Sequence, residues 1–335
     1  MLHCVKVGAT HRAVSWQETL MNPTLPPRLK TAIKTLLEGQ SRKDLAARAQ
    51  AISEHYRAGH GSAHAVASAS DALAYVVARL PATYAVATAV LGRLRDAAPD
   101  FVPDSLLDAG AGPGTASCAA QETWPSLRQL TLIDANRHFL ALAQSVLPGA
   151  QTFARDLLRD ALPDAALVVA SYVLAEVAAA DQARMVAKLH AAAFDVLVLI
   201  EPGTPAGFER LRATRVALIE QGAHVLGPCT HANVCPMAAP DWCHFSQRLP
   251  RSRDHLLAKD ARVPFEDERY AWLAVSRTRR SALDGRARIL APPREAKPGT
   301  TLRLCDGHGL SERFVARRDK QAFAPIRRAG WGDVV

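Results

Sequence analysis

The sequence predicts a doubly wound α/β domain, preceded by a helical region and followed by a cysteine-rich, basic region. Three observations point there: four short apolar runs, Ala/Leu-rich stretches of helical length between them, and a glycine loop where the first run ends. Residues 1–100 read as helical. Leu29, Ile33, Leu36 and Leu37 fall at helical spacing, as do Leu73, Val76, Val77 and Leu80. Gly59 to Ser62 breaks that pattern, and Pro81 is predicted to restart it in a helix over roughly 82–95. Residues 101–228 carry the runs Leu106–Asp108, Leu130–Asp134, Leu167–Ala170 and Val196–Ile200. These are continuous rather than alternating, as strands buried on both faces of a parallel sheet should be. Asp181 to Ala193 has the length and content of a crossover helix. Residues 229–335 hold four further strand-like segments, Trp272–Ser276, Ala287–Leu290, Thr301–Leu304 and Arg313–Ala316. Either the first and third finish the α/β sheet, or all four form a small barrel.

Composition narrows the function classes. Of 335 residues, 49% are hydrophobic and 22% charged, which suits a packed globular chain and not a disordered one. No apolar run approaches the ~20 residues of a bilayer span, so no membrane partner is expected. The first residues, Met1 to Lys6, lack the apolar core of a secretory signal. Five basic residues against one Glu in the first 37 leave a mitochondrial matrix address as the alternative to a cytoplasmic one. The net charge of +9 is localised. Residues 1–243 balance at 21 Lys+Arg and 21 Asp+Glu, whereas residues 244–335 hold 20 and 11. A neutral body with a basic end suits a polyanionic partner such as nucleic acid. Arg277, Arg279, Arg280, Arg286 and Arg288 are the candidate phosphate contacts.

The sharpest local motif is Asp108-Ala109-Gly110-Ala111-Gly112-Pro113-Gly114, between a strand and a helix. Alternating glycines let the backbone turn tightly and approach a ligand that a Cβ would hold off. Amides at the following helix start then face the ligand's polar end. The spacing is G-x-G-x-G, not the G-x-G-x-x-G of dinucleotide binders, and it resembles motif I of class I S-adenosylmethionine (SAM) methyltransferases. Asp108 suits an ammonium head group and would repel a pyrophosphate. Asp134, ending the next strand, can accept from both ribose hydroxyls, and Asp156 is placed for the adenine amino group. Neither the Asn/Asp-Pro-Pro-aromatic motif nor a strand-end Pro-Cys motif is present. Glu176 and Glu201 are the catalytic candidates, to orient a substrate or to act as base.

Cys229, Cys235, Cys243 and Cys305 are spaced C-x5-C-x7-C-x61-C. Four thiolates satisfy a tetrahedral zinc or a cubane iron–sulfur cluster. The loose spacing suits the larger object, while His231, His244 and His308 nearby keep a mixed zinc site open. Cys4 and Cys118 have no such company.

Taken in order, these motifs resemble a known family, the small-ribosomal-subunit-associated methyltransferase-like proteins of bacteria and mitochondria. The resemblance runs from Tyr75, Arg79 and Pro81 through the glycine loop and Glu201-Pro202-Gly203 to the cysteines. It ends at Trp331-Gly332-Asp333. It implies a class I SAM-methyltransferase fold over 101–228 and a structural [4Fe–4S] cluster on Cys229, Cys235, Cys243 and Cys305. It further implies a role on small-subunit rRNA in ribosome assembly. Some members look like assembly factors rather than enzymes, which makes a non-catalytic RNA-binding role the alternative. A zinc-containing small-molecule or protein methyltransferase is the third reading. Oligomeric state is not legible.

Overall fold

The computed structural model describes residues 23–57 and 65–335. Cys4 and the Gly59–Ser62 break lie outside the described residues. Three helices come first: α1 (Pro27–Leu36), α2 (Arg42–Arg57) and α3 (Ala69–Ala97). α3 opens on Ser68, whose side chain accepts from the Asp71 amide, and it runs unbroken through Pro81. The sequence predicts a helix starting at Pro81. The structure corrects this, because burial outweighs the lost backbone bond: Leu80 and Ala82 on either side are wholly buried. This helix also holds a window of mean hydropathy 1.4, long and apolar enough to cross a bilayer, contrary to the reading of the sequence. In the structure 83% of that window is buried inside the protein.

The α/β domain follows as β1 (Ser105–Ala109), α4 (Thr115–Thr123), β2 (Gln129–Asp134), α5 (Arg137–Val146), β3 (Gln151–Ala154) and β4 (Ala165–Ser171). It continues as α6 (Ala179–Ala192), β5 (Ala193–Pro202), α7 (Pro205–Glu220) and β6 (His224–Gly227). Each predicted apolar run lies in one of these strands, with β1 and β4 buried nearly throughout. Beyond them lie β7 (Phe245–Pro250), α8 (Arg253–Ala258) and β8 (Phe265–Ser276). The sheet order is β3-β2-β1-β4-β5-β8-β6, with β7 also paired to β8. The strands from β3 to β5 are parallel, and β8 enters antiparallel between β5 and β6. This is the class I SAM-methyltransferase sheet, with its reversed strand set inside one edge.

The expected boundary at residue 228 does not separate two sheets, because β7 and β8 come from beyond it and complete the main one. Only Trp272–Ser276 of the four late segments joins it. The other three lie in β9 (Arg288–Ile289), β11 (Gly299–Asp306) and β12 (Gly309–Ala316), which with the unpredicted β10 (Arg294–Glu295) build a second, open sheet. β9 and β10 share one side of β11, and β12 takes the other. Neither form of the sequence reading, third segment in the main sheet or a closed barrel, holds. Leu302, Leu304, Ile289 and Val315 line one face of this sheet, under Ile326 and the short helix α9 (Lys320–Phe323). The C-terminus zips back along β9, the amides of Ile289 and Gly332 bonding to Asp333 and Ile289 carbonyls.

Candidate cofactor and cysteine sites

At the end of β1 the glycine loop turns with Gly110, Gly112 and Gly114 all at positive φ, where a side chain is strained. Gly110 has a second constraint: a Cβ there would lie 2.4 Å from Val173 Cγ2. Gly112 differs, since a Cβ on it would meet nothing within 4 Å, so the loop presents an open face there. Asp134 Oδ2 accepts from the Gly112 amide at 2.8 Å and Oδ1 from Asn136, tying the loop to the end of β2. Burial raises the Asp134 carboxyl above its ordinary value, with those two bonds pulling against it.

Asp108 does not face outward. It is 1% exposed, and its Oδ2 accepts from the Ser117 amide and hydroxyl at 3.1 and 2.7 Å, holding the start of α4 from beneath. Burial pushes its pKa up to about 6, against the Ser117 bonds, while Oδ1 is buried without a partner. An open face over Gly112 and an orphaned carboxylate oxygen below it fit a bound SAM. Asp156 is exposed in the turn after β3, where its Oδ1 accepts from the Leu158 and Arg159 amides. The two candidate bases part company. Glu201 is 1% exposed; its Oε2 accepts from Arg210 Nε at 2.7 Å, linking β5 to α7, while its Oε1 is buried without a partner and burial raises the carboxyl against the pull of Arg210. Glu176 instead lines a cleft of about 1090 Å³ between the N-terminal helices and the C-terminal ends of β4 and β5.

That cleft brings together residues the sequence reading did not single out for chemistry. Tyr172, at φ 64, sits just past β4 with its hydroxyl buried and unpartnered. Arg79 of α3 donates to Glu268 of β8 at 2.9 Å across the cleft wall. Glu266 gathers Arg251, His255 and Lys259. Burial alone would raise its carboxyl, but the bonds from His255 and Lys259 hold it well below the usual range. A tyrosine following a predicted strand end was the one local signal available.

The structure brings the four cysteines together. Cys229, Cys235, Cys243 and Cys305 line one cavity of about 50 Å³, more than a single water needs, with Phe208, Met237 and Trp272 among its apolar walls. Burial pushes Cys305 up to about 12 and Cys243 well above the ordinary thiol value. The Cys229 thiol is also raised by burial, with Arg215 beside it pulling the other way. Among the described residues no three His, Cys, Asp or Glu side chains are grouped as one metal ion requires. Four thiols around one largely apolar cavity, with His231 Nε2 3.7 Å from Cys305 Sγ, form a donor set that suits a thiolate-bound metal centre. Cys118 is buried in the main core, apart from this site.

The five candidate RNA contacts differ in burial and in what holds them. Arg288 is 3% exposed and donates to the Pro228 and Gly332 carbonyls, both at 2.7 Å, so it is corrected from surface contact to interior residue. Arg277 is held by the His190 and Ala193 carbonyls, and Arg279 by Asp195 and Asp100. Only Arg280 and Arg286 remain exposed without such ties.

Comparison with known proteins places this architecture. The family described as mitochondrial small ribosomal subunit Rsm22 matches residues 69–335. The human ribosome assembly protein METTL17, mitochondrial, is 26% identical over 287 residues, covering 78% of this chain. The chain spans 62% of that relative's length. Among solved structures, magnesium protoporphyrin IX methyltransferase from Synechocystis with SAM bound is similar at TM-score 0.38 and 14% identity. That match covers 77% of this chain and 100% of the other. A TehB-like SAM-dependent methyltransferase from Corynebacterium glutamicum is similar at TM-score 0.36 and 17% identity, covering 55% and 84%. Both likenesses are loose; the strand order and the glycine loop define the fold on their own.

Proposed function

The chain belongs to the mitochondrial small ribosomal subunit Rsm22 family, and from that premise we propose that it is a SAM-binding, methyltransferase-like protein of small-subunit assembly that binds small-subunit rRNA. The observation that carries the reading is the pairing, in one chain of this family, of an intact glycine loop with a cysteine cavity that docks a basic sheet. Residues 286–335 hold 11 Lys+Arg against 5 Asp+Glu. Arg313, Arg318, Arg327 and Arg328 stand exposed there, and Phe314 is 54% exposed. Together with Arg280 and Arg286 they supply the phosphate contacts that Arg277, Arg279 and Arg288 do not. Cys229, Cys235, Cys243 and Cys305 hold a [4Fe–4S] cluster, with zinc as the competing occupant. With all four irons ligated by protein, such a cluster serves structure rather than redox catalysis. The named relative is mitochondrial, which supports a mitochondrial matrix setting over a cytoplasmic one.

SAM supplies an activated methyl group. Gly112 and Asp134 would hold it together with Asp156, while Asp108 supports the loop through Ser117. Methyl transfer would use the cleft beside Tyr172 and Glu176. The second reading, an assembly factor without methyl transfer, is favoured by the Arg210 guanidinium that ties one oxygen of Glu201, the more deeply buried of the two candidate acids. Sedimentation with purified small subunits tests the shared claim. Co-migration that an Asp108→Ala variant retains supports the assembly factor. Co-migration together with labelled methyl incorporation into rRNA, lost in that variant, supports the enzyme. Absence of co-migration contradicts both.

A further inference from the structure

The cysteine cavity is lined by two buried cations that have no ion-pair partner among the described residues. Arg215 of α7 and Arg288 of β9 both line it, at 4% and 3% exposure. Arg215 donates to the His231 and Asn233 carbonyls at 2.8 and 2.9 Å, and its Nε is buried without a partner. Arg288 donates only to the carbonyls of Pro228 and Gly332. Among the described residues no carboxylate stands within ion-pair distance of either guanidinium. Burying an unpaired charge costs several kcal/mol even when carbonyls solvate part of it. Neutral thiols return none of that cost. Four thiolates on a metal centre do, since an oxidised [4Fe–4S] core with four cysteinates carries roughly two negative charges.

We propose that Arg215 and Arg288 are the counter-charges of the four-cysteine centre, matched to its two negative charges. They lock the loop after β6 and the second sheet around it and favour its reduced state. The inference rests on the cluster reading above. Their carbonyl bonds explain the placement: each guanidinium clamps a cysteine-bearing loop while facing the sulfurs. Reduction adds one electron from an external one-electron reductant to the core and moves no atoms, so the centre gains a third negative charge beside both cations.

The test uses the full chain purified without oxygen, with Arg215→Gln, Arg215→Lys and Arg288→Gln variants. Iron and zinc contents are measured first. The midpoint is then read by dithionite titration with electron paramagnetic resonance. With iron present, Arg215→Gln should shift the oxidised-to-reduced ratio at fixed potential at least tenfold toward oxidised, which is 59 mV for one electron. Arg215→Lys, keeping the charge, should stay near wild type. An unchanged midpoint in a glutamine variant that keeps its iron overturns the proposal, as does equal loss of the centre in Gln and Lys variants. Loss in Gln alone supports it. Zinc in the wild type would refute the cluster reading instead. The arginine inference then stands or falls on chelator stripping, which should be at least tenfold faster in Arg215→Gln than in wild type.

Discussion

Cys305 Sγ lies 3.7 Å from Nε2 of His231, although 74 residues separate them in the chain. The contact joins β11 of the second sheet to the loop that follows β6 at the main sheet's edge, so the basic sheet docks where the cysteines meet. Thr230 Oγ1 bonding to the Arg286 carbonyl at 2.6 Å and Asn233 to Gly307 at 2.9 Å run alongside it.

Cys305→Ser should therefore cost more than a ligand. We expect loss of the bound metal and release of residues beyond Ser276 to limited proteolysis, with the α/β domain intact. Mass mapping of the fragments checks this, and wild-type protection in the variant would argue against a metal-held dock.

Two glycines of one loop should respond differently. Gly110→Ala forces a Cβ to 2.4 Å from Val173 at φ 74 and should destabilise the fold by about 2–4 kcal/mol. Gly112→Ala has open space and should cost about 1 kcal/mol, yet weaken SAM binding at least tenfold. Thermal melts and calorimetry on both variants separate the two effects. Equal behaviour would remove the assignment of the open face to the cofactor.

Asp108 makes stability depend on pH in a definite direction. Its folded pKa, about 6, is raised above the ordinary 3.8 by burial. Its contribution is fully present below about pH 4 and lost as pH rises through 6, a swing on the order of 3 kcal/mol. Asp108→Asn can keep the Ser117 bonds without titrating. Its stability relative to wild type should rise between pH 5 and pH 8, as read by chemical unfolding at each pH.

Neutralising Arg313, Arg318, Arg327 and Arg328 should flatten the salt dependence of rRNA binding, by about 0.7–0.9 in log–log slope for each phosphate contact removed. Arg277→Gln, removing a guanidinium tied to backbone carbonyls, should leave the slope unchanged. Filter binding across a salt series distinguishes them.

Much of this was legible in the sequence because it is local. The four buried strands announce themselves as apolar runs, and the glycine loop and cysteine spacing need no distant residue. What stayed hidden depends on pairing across the chain. Only Trp272–Ser276 of β8 reads as a strand, because Glu266, Asp267, Glu268 and Arg269 mask the first half of an element whose second half is wholly buried. Arg288 counts as one more basic residue until the fold encloses it beneath Pro228 and Gly332. Glu201 reads as an open acid until the fold buries it with one oxygen on Arg210, nine residues on.

The most direct measurement is the iron, sulfide and zinc content of the wild-type chain purified without oxygen, taken on the fraction that sediments with small ribosomal subunits. The account predicts about four irons and four sulfides per chain in that fraction. One zinc per chain, or metal-free protein that sediments equally well, would contradict it.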